Sequence, residues 1–222
     1  MTYLTNTQKR IRELIGVGHW WSRRQLTIMW IGYDKDRHKL MHENLLSLYK
    51  KKAIKRRWFK GYLIYSTSGS NRQVEHGTVC AEVIMRIFMA NPEAEIIGEG
   101  VFRQYRLGNV PEAGFKYPNG DLLLFEYCTR DNAKRSGLVS RKVKAYQKTI
   151  TNMEKTFDGR GVVIFIIDLP IFEVKQMAGR YLKDTNFIYF ADAKSFFDLP
   201  LGKALTAEIY FMANGEREAL HV

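Results

Sequence analysis

The sequence predicts an α/β protein in two parts. A small basic module of helices and one hairpin precedes a larger α/β domain with a central mixed sheet. Three observations predict it. Residues 34–66 read as one amphipathic helix, a basic strand, a tight turn and a second strand. The excess of positive charge is confined to the first third: residues 1–72 hold sixteen Lys and Arg against four Asp and Glu, and the remainder holds nineteen of each, so the net +12 lies ahead of residue 73. Beyond that point two nearly unbroken apolar runs, DLLLFEY at 121–127 and GVVIFIIDL at 161–169, read as strands covered on both faces.

The elements follow in order. Residues 5–16 form the first helix, with Ile11, Leu14 and Ile15 on one stripe and Gly16 and Gly18 ending it. Ser22 and Gln25 predict a capping box that opens a second helix, running to about Ile31, with Leu26, Met29 and Trp30 inside. Arg23 and Arg24 fall in its first turn and oppose the helix dipole there; a phosphate contact is one reason for that placement. Gly32 stops this helix, and Asp34 or Asp36 caps the third. In the third helix Met41, Leu45 and Leu48 share an inward face, and Lys35, Arg37, His38, Lys39 and His42 occupy the others. Lys55-Arg56-Arg57-Trp58-Phe59 then pairs with residues 62–65 across Lys60-Gly61. Three helices and a basic hairpin are the layout of a winged-helix DNA-binding unit.

The small, polar stretch 66–71 is the expected linker, and the charge balance changes at the same place, so domains of 1–72 and 73–222 are expected. The second domain opens with a helix over 74–91, faced by Val79, Val83, Ile84, Ile87 and Phe88, with His76 as a packing or capping residue. A short strand over 93–98 and weak alternation over 101–107 follow. A hairpin then joins 112–116 to 121–127 through Tyr117-Pro118-Asn119-Gly120. A helix over 136–157 turns Val139, Val143, Tyr146 and Ile150 inward, and strands at 161–169 and 186–190 flank a helix over 170–182. Residues 192–205 mix loop and helix, and helices are expected on the faces of the sheet.

Charge and composition narrow the partners. An excess of positive charge in one third of the chain points to a polyanion, most simply double-stranded DNA. A membrane surface is the competing polyanion, but the basic helix has no Trp/Phe-rich insertion face. No apolar run reaches the ~18 residues of a membrane span. Lys9, Arg10 and Arg12 interrupt any signal-peptide core. Cys80 and Cys128 form neither a disulfide framework nor a zinc spacing and read as buried thiols, so a reducing cytoplasm is the expected setting.

Glu99, Glu112 and Glu126 are the candidate acids of the second domain. On paired strands such carboxylates come to one sheet edge, where Glu112 and Glu126 would hold Mg²⁺ or Mn²⁺ and activate water on a phosphodiester. A lysine two residues beyond the strand acid would complete a nuclease pattern, and that place is Cys128. Lys142, on the following helix, is a candidate to replace it, although it is one of several lysines on an amphipathic helix.

The run VEHGTVCAEVIMRI, then IIGEGVFR, VPEAGF, LLLFEYCTRDN and a helix with Lys142 and Tyr146, resembles the replication-relaxation family of plasmids and integrative elements. The resemblance covers most of the chain. It implies an N-terminal winged helix and a C-terminal domain related to the restriction-endonuclease-like, PD-(D/E)XK fold. The family's Pro-Asp corresponds to Pro111-Glu112, its strand glutamate to Glu126, the acid two residues later to Cys128 and its threonine to Thr129. It implies a DNA-associated role in replication or conjugative mobilisation, beside a relaxase or a replication initiator.

Three functions follow as expectations. The first is a DNA-binding accessory protein without enzymatic activity or cofactor. There Lys35, Arg37, Lys39, His42 and Asn44 approach a major groove, and Lys55, Arg56, Arg57 and Lys60 hold phosphates with Arg23 and Arg24. The second is a metal-dependent nuclease or nickase using Glu99, Glu112, Glu126 and Lys142. The third is a transcriptional regulator whose α/β domain senses a ligand or forms a homodimer; no glycine-rich phosphate loop supports it.

Overall fold

Side chains near the helix starts fix the first elements. Thr5 opens α1 (Asn6–Ile15): its hydroxyl accepts from the Gln8 N–H, and Gln8 Oε1 accepts from the Thr5 N–H. The same device opens α2 (Arg23–Ile31), where the Ser22 N–H donates to Gln25 Oε1 at 2.8 Å and the Gln25 N–H donates to Ser22 Oγ at 3.2 Å. The Ser22/Gln25 capping box is therefore present as expected. These elements come from a computed structural model that describes residues 3–17, 19–31, 35–67, 73–104, 110–135, 137–181, 187–211 and 217–220, without the side chains of Ile31, Lys35 and Asp36. The fold is mixed α/β, and the chain divides into two compact units, Met1–Met85 and Arg86–Val222.

In the first unit α3 (Lys35–Lys50) buries Met41, Leu45 and Leu48, the predicted inward face. Strands β2 (Lys55–Phe59) and β3 (Tyr62–Ser66) form the expected hairpin. Its two turn residues, Lys60 at φ 47° and Gly61 at φ 85°, both take the left-handed conformation that a two-residue hairpin turn needs. A two-residue strand β1 (Trp21–Ser22), which no sequence period could reveal, pairs with β3 and makes a three-stranded antiparallel sheet of order β1-β3-β2.

The expected boundary near residue 72 falls on 68–72, outside the described residues. The division into units lies instead within α4 (Val74–Ala90). The beginning of α4 is bound to the first unit: Val74 packs with Trp20, Ile64 and Phe59, and the Gln25 side-chain amide donates to the Thr78 carbonyl and, at 3.0 Å, to Glu82.

The second unit holds β4 (Glu95–Gly98), α5 (Glu99–Gln104), β5 (Ala113–Lys116), β6 (Leu122–Cys128), α6 (Arg130–Lys134), α7 (Leu138–Phe157) and β7 (Gly161–Ile167). It continues through α8 (Ile171–Tyr181), β8 (Ile188–Asp192), α9 (Ala193–Asp198), β9 (Tyr210–Phe211) and β10 (Arg217–Glu218). The described strands make one mixed seven-stranded sheet of order β10-β9-β8-β7-β6-β5-β4. The pairs β6–β7 and β7–β8 are parallel and are joined through helices, as parallel neighbours require; the other pairs are antiparallel. Every residue of β6 is buried, which is what its apolar run predicted. On α7, Val139, Val143, Tyr146 and Ile150 are buried, and the Tyr146 and Phe165 rings meet edge to face at 6.0 Å.

The alternation over 101–107 does not make a strand. Residues up to Gln104 belong to α5, and 105–109 lie outside the described residues. Helical spacing lets Arg103 pair with Glu99 while Phe102 is buried. Phe102 also explains Gly114, since a Cβ there would lie 2.7 Å from its ring and 2.9 Å from Leu124. No helix among the described residues is long and apolar enough to cross a membrane.

Candidate functional site

The basic candidates lie on α2, α3 and the hairpin. With Met41, Leu45 and Leu48 turned inward, Arg37, Lys39 and His42 are exposed, and the backbone of Lys35 opens the helix while its side chain is outside the described residues. Asn44 is half-buried and donates through Nδ2 to the Leu40 carbonyl at 2.9 Å, so its amide is held on its own helix. Arg23 and Arg24 are exposed in the first turn of α2. Burial, with the Arg23 charge, holds His38 below its ordinary value; burial pushes the Tyr65 hydroxyl up against the pull of Arg23 and Arg56. These shifts place Arg23 beside α3 and the hairpin.

Lys55, Arg56 and Arg57 are exposed along β2. Successive strand residues point to opposite faces, so Arg56 and Trp58 share one side and Lys55 and Arg57 the other. The Arg56 guanidinium stacks 3.9 Å above the Tyr49 ring at the end of α3, which ties the hairpin to that helix. Lys60 lies at the hairpin turn. Its ammonium lies 2.5 Å from the Glu75 carboxylate, and this partner raises its pKa.

The acidic candidates converge at the end of three neighbouring strands. Gly98 opposes Ala113, and Ala113 opposes Phe125. One step further along the same register Glu112 comes beside Glu126, while Glu99 follows Gly98 as the first residue of α5. The Glu112 N–H donates to the Phe125 carbonyl at 3.1 Å. Glu99 pairs with Arg103, so the remaining neighbours are Glu112 and Glu126.

Glu126 has no exposed surface. Its Oε2 accepts from the Lys142 ammonium, and its Oε1 accepts from the Tyr146 hydroxyl at 2.8 Å. Burial pushes the Glu126 pKa up, the Lys142 charge pulls it back, and the Glu112 charge pushes it further up. Burial acts to lower Lys142, but the charge and hydrogen bond of Glu126 outweigh it and raise the lysine. Burial also raises the Tyr146 hydroxyl well above its ordinary value, so it stays protonated and donates.

Lys142 is thus not merely one more solvent-facing lysine of α7, and Tyr146 is more than a core residue. Their spacing of one helical turn was the available signal. Cys128, in the place of the motif lysine, is buried and its thiol is pushed up to about 12, which leaves it inert as a nucleophile. Cys80 is likewise buried and outside any disulfide, with its Sγ 3.5 Å from His76 Nε2.

Glu112 and Glu126 offer the oxygen ligands that Mg²⁺ takes. Mg²⁺ keeps several waters in such sites, whereas Glu126 is closed to solvent and both its oxygens already accept hydrogen bonds. The arrangement fits a fixed ion pair better than a hydrated cation. The chain matches no protein-family model, no curated protein and no solved structure.

Proposed function

We propose that the protein is a DNA-binding accessory factor that grips duplex DNA through its first unit. The observation that carries this reading is the exposed basic hairpin beside α3, which turns Met41, Leu45 and Leu48 inward and leaves Arg37 and Lys39 exposed. The element order α1-β1-α2-α3-β2-β3 and the sheet order β1-β3-β2 support a winged helix. Arg37, Lys39 and His42 then approach a major groove, while Lys55, Arg56 and Arg57, with Arg23 and Arg24, hold phosphates. The order α4-β4-β5-β6-α7-β7 in the second unit supports a restriction-endonuclease-like scaffold. The resemblance to replication-relaxation proteins supports a role in replication or conjugative mobilisation of a mobile element, beside a relaxase or initiator.

The test is the affinity of the full chain for a duplex across a salt series. If ~6 of these cations reach phosphates, affinity falls about 10³-fold between ~50 and ~200 mM salt. A complex insensitive to salt contradicts the reading.

One observation favours a second reading, a metal-dependent nuclease. Glu112 and Lys142 both act on the Glu126 carboxylate, which groups two acids and a lysine as a nuclease of this class does. Nicking of supercoiled plasmid with Mg²⁺ or Mn²⁺, lost in Glu126→Gln while duplex binding persists, would establish it. No nicking with either metal would retain the second unit as a scaffold.

A further inference from the structure

A cleft of about 650 Å³ lies within the first unit, a volume inside the ~300–1,000 Å³ range of ligand sites. Its walls are Arg23 and Arg24 from the first turn of α2, His38 and His42 from α3, and Trp58 and Tyr62 from the hairpin. Contact with a duplex backbone accounts for the arginines but not for the aromatic rings.

Trp58 is 69% exposed and Tyr62 is 42% exposed. The register separates Trp58 from the Trp20–Ile64–Val74 cluster. Phe59 and Ile64 lie on the hairpin face that packs with Trp20 and Val74; Trp58 lies on the opposite face, with Leu63 and Tyr65, which also border the cleft. The ring therefore lines a concave site that also carries the two guanidinium groups of Arg23 and Arg24. Glu82 also borders it, with its carboxylate accepting from the Gln25 amide. An indole presents a flat surface to any base, whatever its identity, provided the base is unstacked; guanidinium groups nearby hold the adjoining phosphate. The bases of an intact duplex are stacked on one another and cannot offer a face to Trp58.

We propose that this cleft takes one unpaired nucleotide of DNA, with its base stacked on Trp58 and its phosphate held by Arg23 and Arg24. The protein then prefers a duplex with a single-stranded overhang to a blunt one. The inference rests on the DNA-binding reading above and adds the form of DNA that is recognised.

The experiment titrates the full chain into a blunt duplex and into the same duplex with a short thymidine overhang, followed by fluorescence anisotropy. The overhang tightens binding by about five-fold or more, as one stacked base does. Trp58→Ala removes that gain and leaves blunt-duplex affinity unchanged, whereas Trp58→Phe keeps part of it. The exposure of Trp58 lets these variants fold, and an unchanged Tm checks this. Equal affinity of the wild-type chain for the two DNAs overturns the inference alone, as does a preference that survives Trp58→Ala. Failure to bind either DNA overturns the underlying reading and this one with it.

Discussion

The two units place the same chemistry in opposite solvents. On the hairpin, Lys55, Arg56 and Arg57 stand in water along one strand. In the second unit the ammonium of Lys142 meets a carboxylate with no exposed surface, and the lysine side chain itself is only 27% exposed. Exposed cations cost little to keep, and because water screens what they give to their neighbours they stay open to an incoming polyanion. A buried pair has already given up several kcal/mol per ion of hydration, and its attraction is spent on its partner. The first arrangement suits reversible binding whose strength varies with salt. The second holds a strand against a helix, and catalysis there would require the pair to open.

Breaking the buried pair gives the largest expected effect. Lys142→Met leaves the Glu126 carboxylate without its cation and costs roughly 3–5 kcal/mol, read by urea unfolding. Pairing it with Glu126→Gln recovers most of that loss, because neither remaining group is charged. The loss in Lys142→Met also depends on pH. The folded-state pKa of Glu126 is raised, so the folded protein holds its proton more tightly than the unfolded chain. Its contribution is present below the ordinary value of 4.5 and is lost as pH rises through the folded value. The variant is therefore most nearly normal in acid. Wild-type stability in Lys142→Met at neutral pH would mean that the two units do not differ in this way.

Tyr146→Phe sharpens the comparison with a smaller change. It removes one hydrogen bond to a buried charged group and costs roughly 1.5–3 kcal/mol in the same measurement. At the bottom of the scale is Glu75→Gln, which frees the exposed Lys60 ammonium. It leaves Tm unchanged and steepens the salt dependence of duplex binding by at most about one phosphate contact. A clear loss of stability there would show that the surface of the first unit is held by its ion pairs.

Which features could be read from sequence follows the range of the forces behind them. Ser22 and Gln25, three residues apart, declare their helix start locally, and Lys60-Gly61 declares the hairpin turn. The strand β6 is central because its own residues are apolar throughout. By contrast, Trp21 and Ser22 become a strand only because Tyr65 and Ile64 lie beside them, and β9 likewise joins the sheet through Phe190 of β8. The first turns of α4 join the first unit through Gln25 and Trp20, contacts that no linker composition reveals. Around the acidic candidates, the sequence named Glu99, Glu112, Glu126 and Lys142, but two details needed the fold. Glu99 is diverted by Arg103, and Tyr146 turns its hydroxyl onto Glu126 from the face that marked it as core.

The central claim is that the exposed cations of the first unit hold a duplex. The most direct measurement is the salt dependence of duplex affinity for the chain carrying Lys55→Gln, Arg56→Gln and Arg57→Gln together. The account predicts a weaker complex whose slope of log affinity against log salt is shallower by about three phosphate contacts, in a chain that still folds and whose Tm falls only by what the Arg56–Tyr49 stacking contributes. Duplex affinity and slope equal to those of the wild-type chain would contradict it.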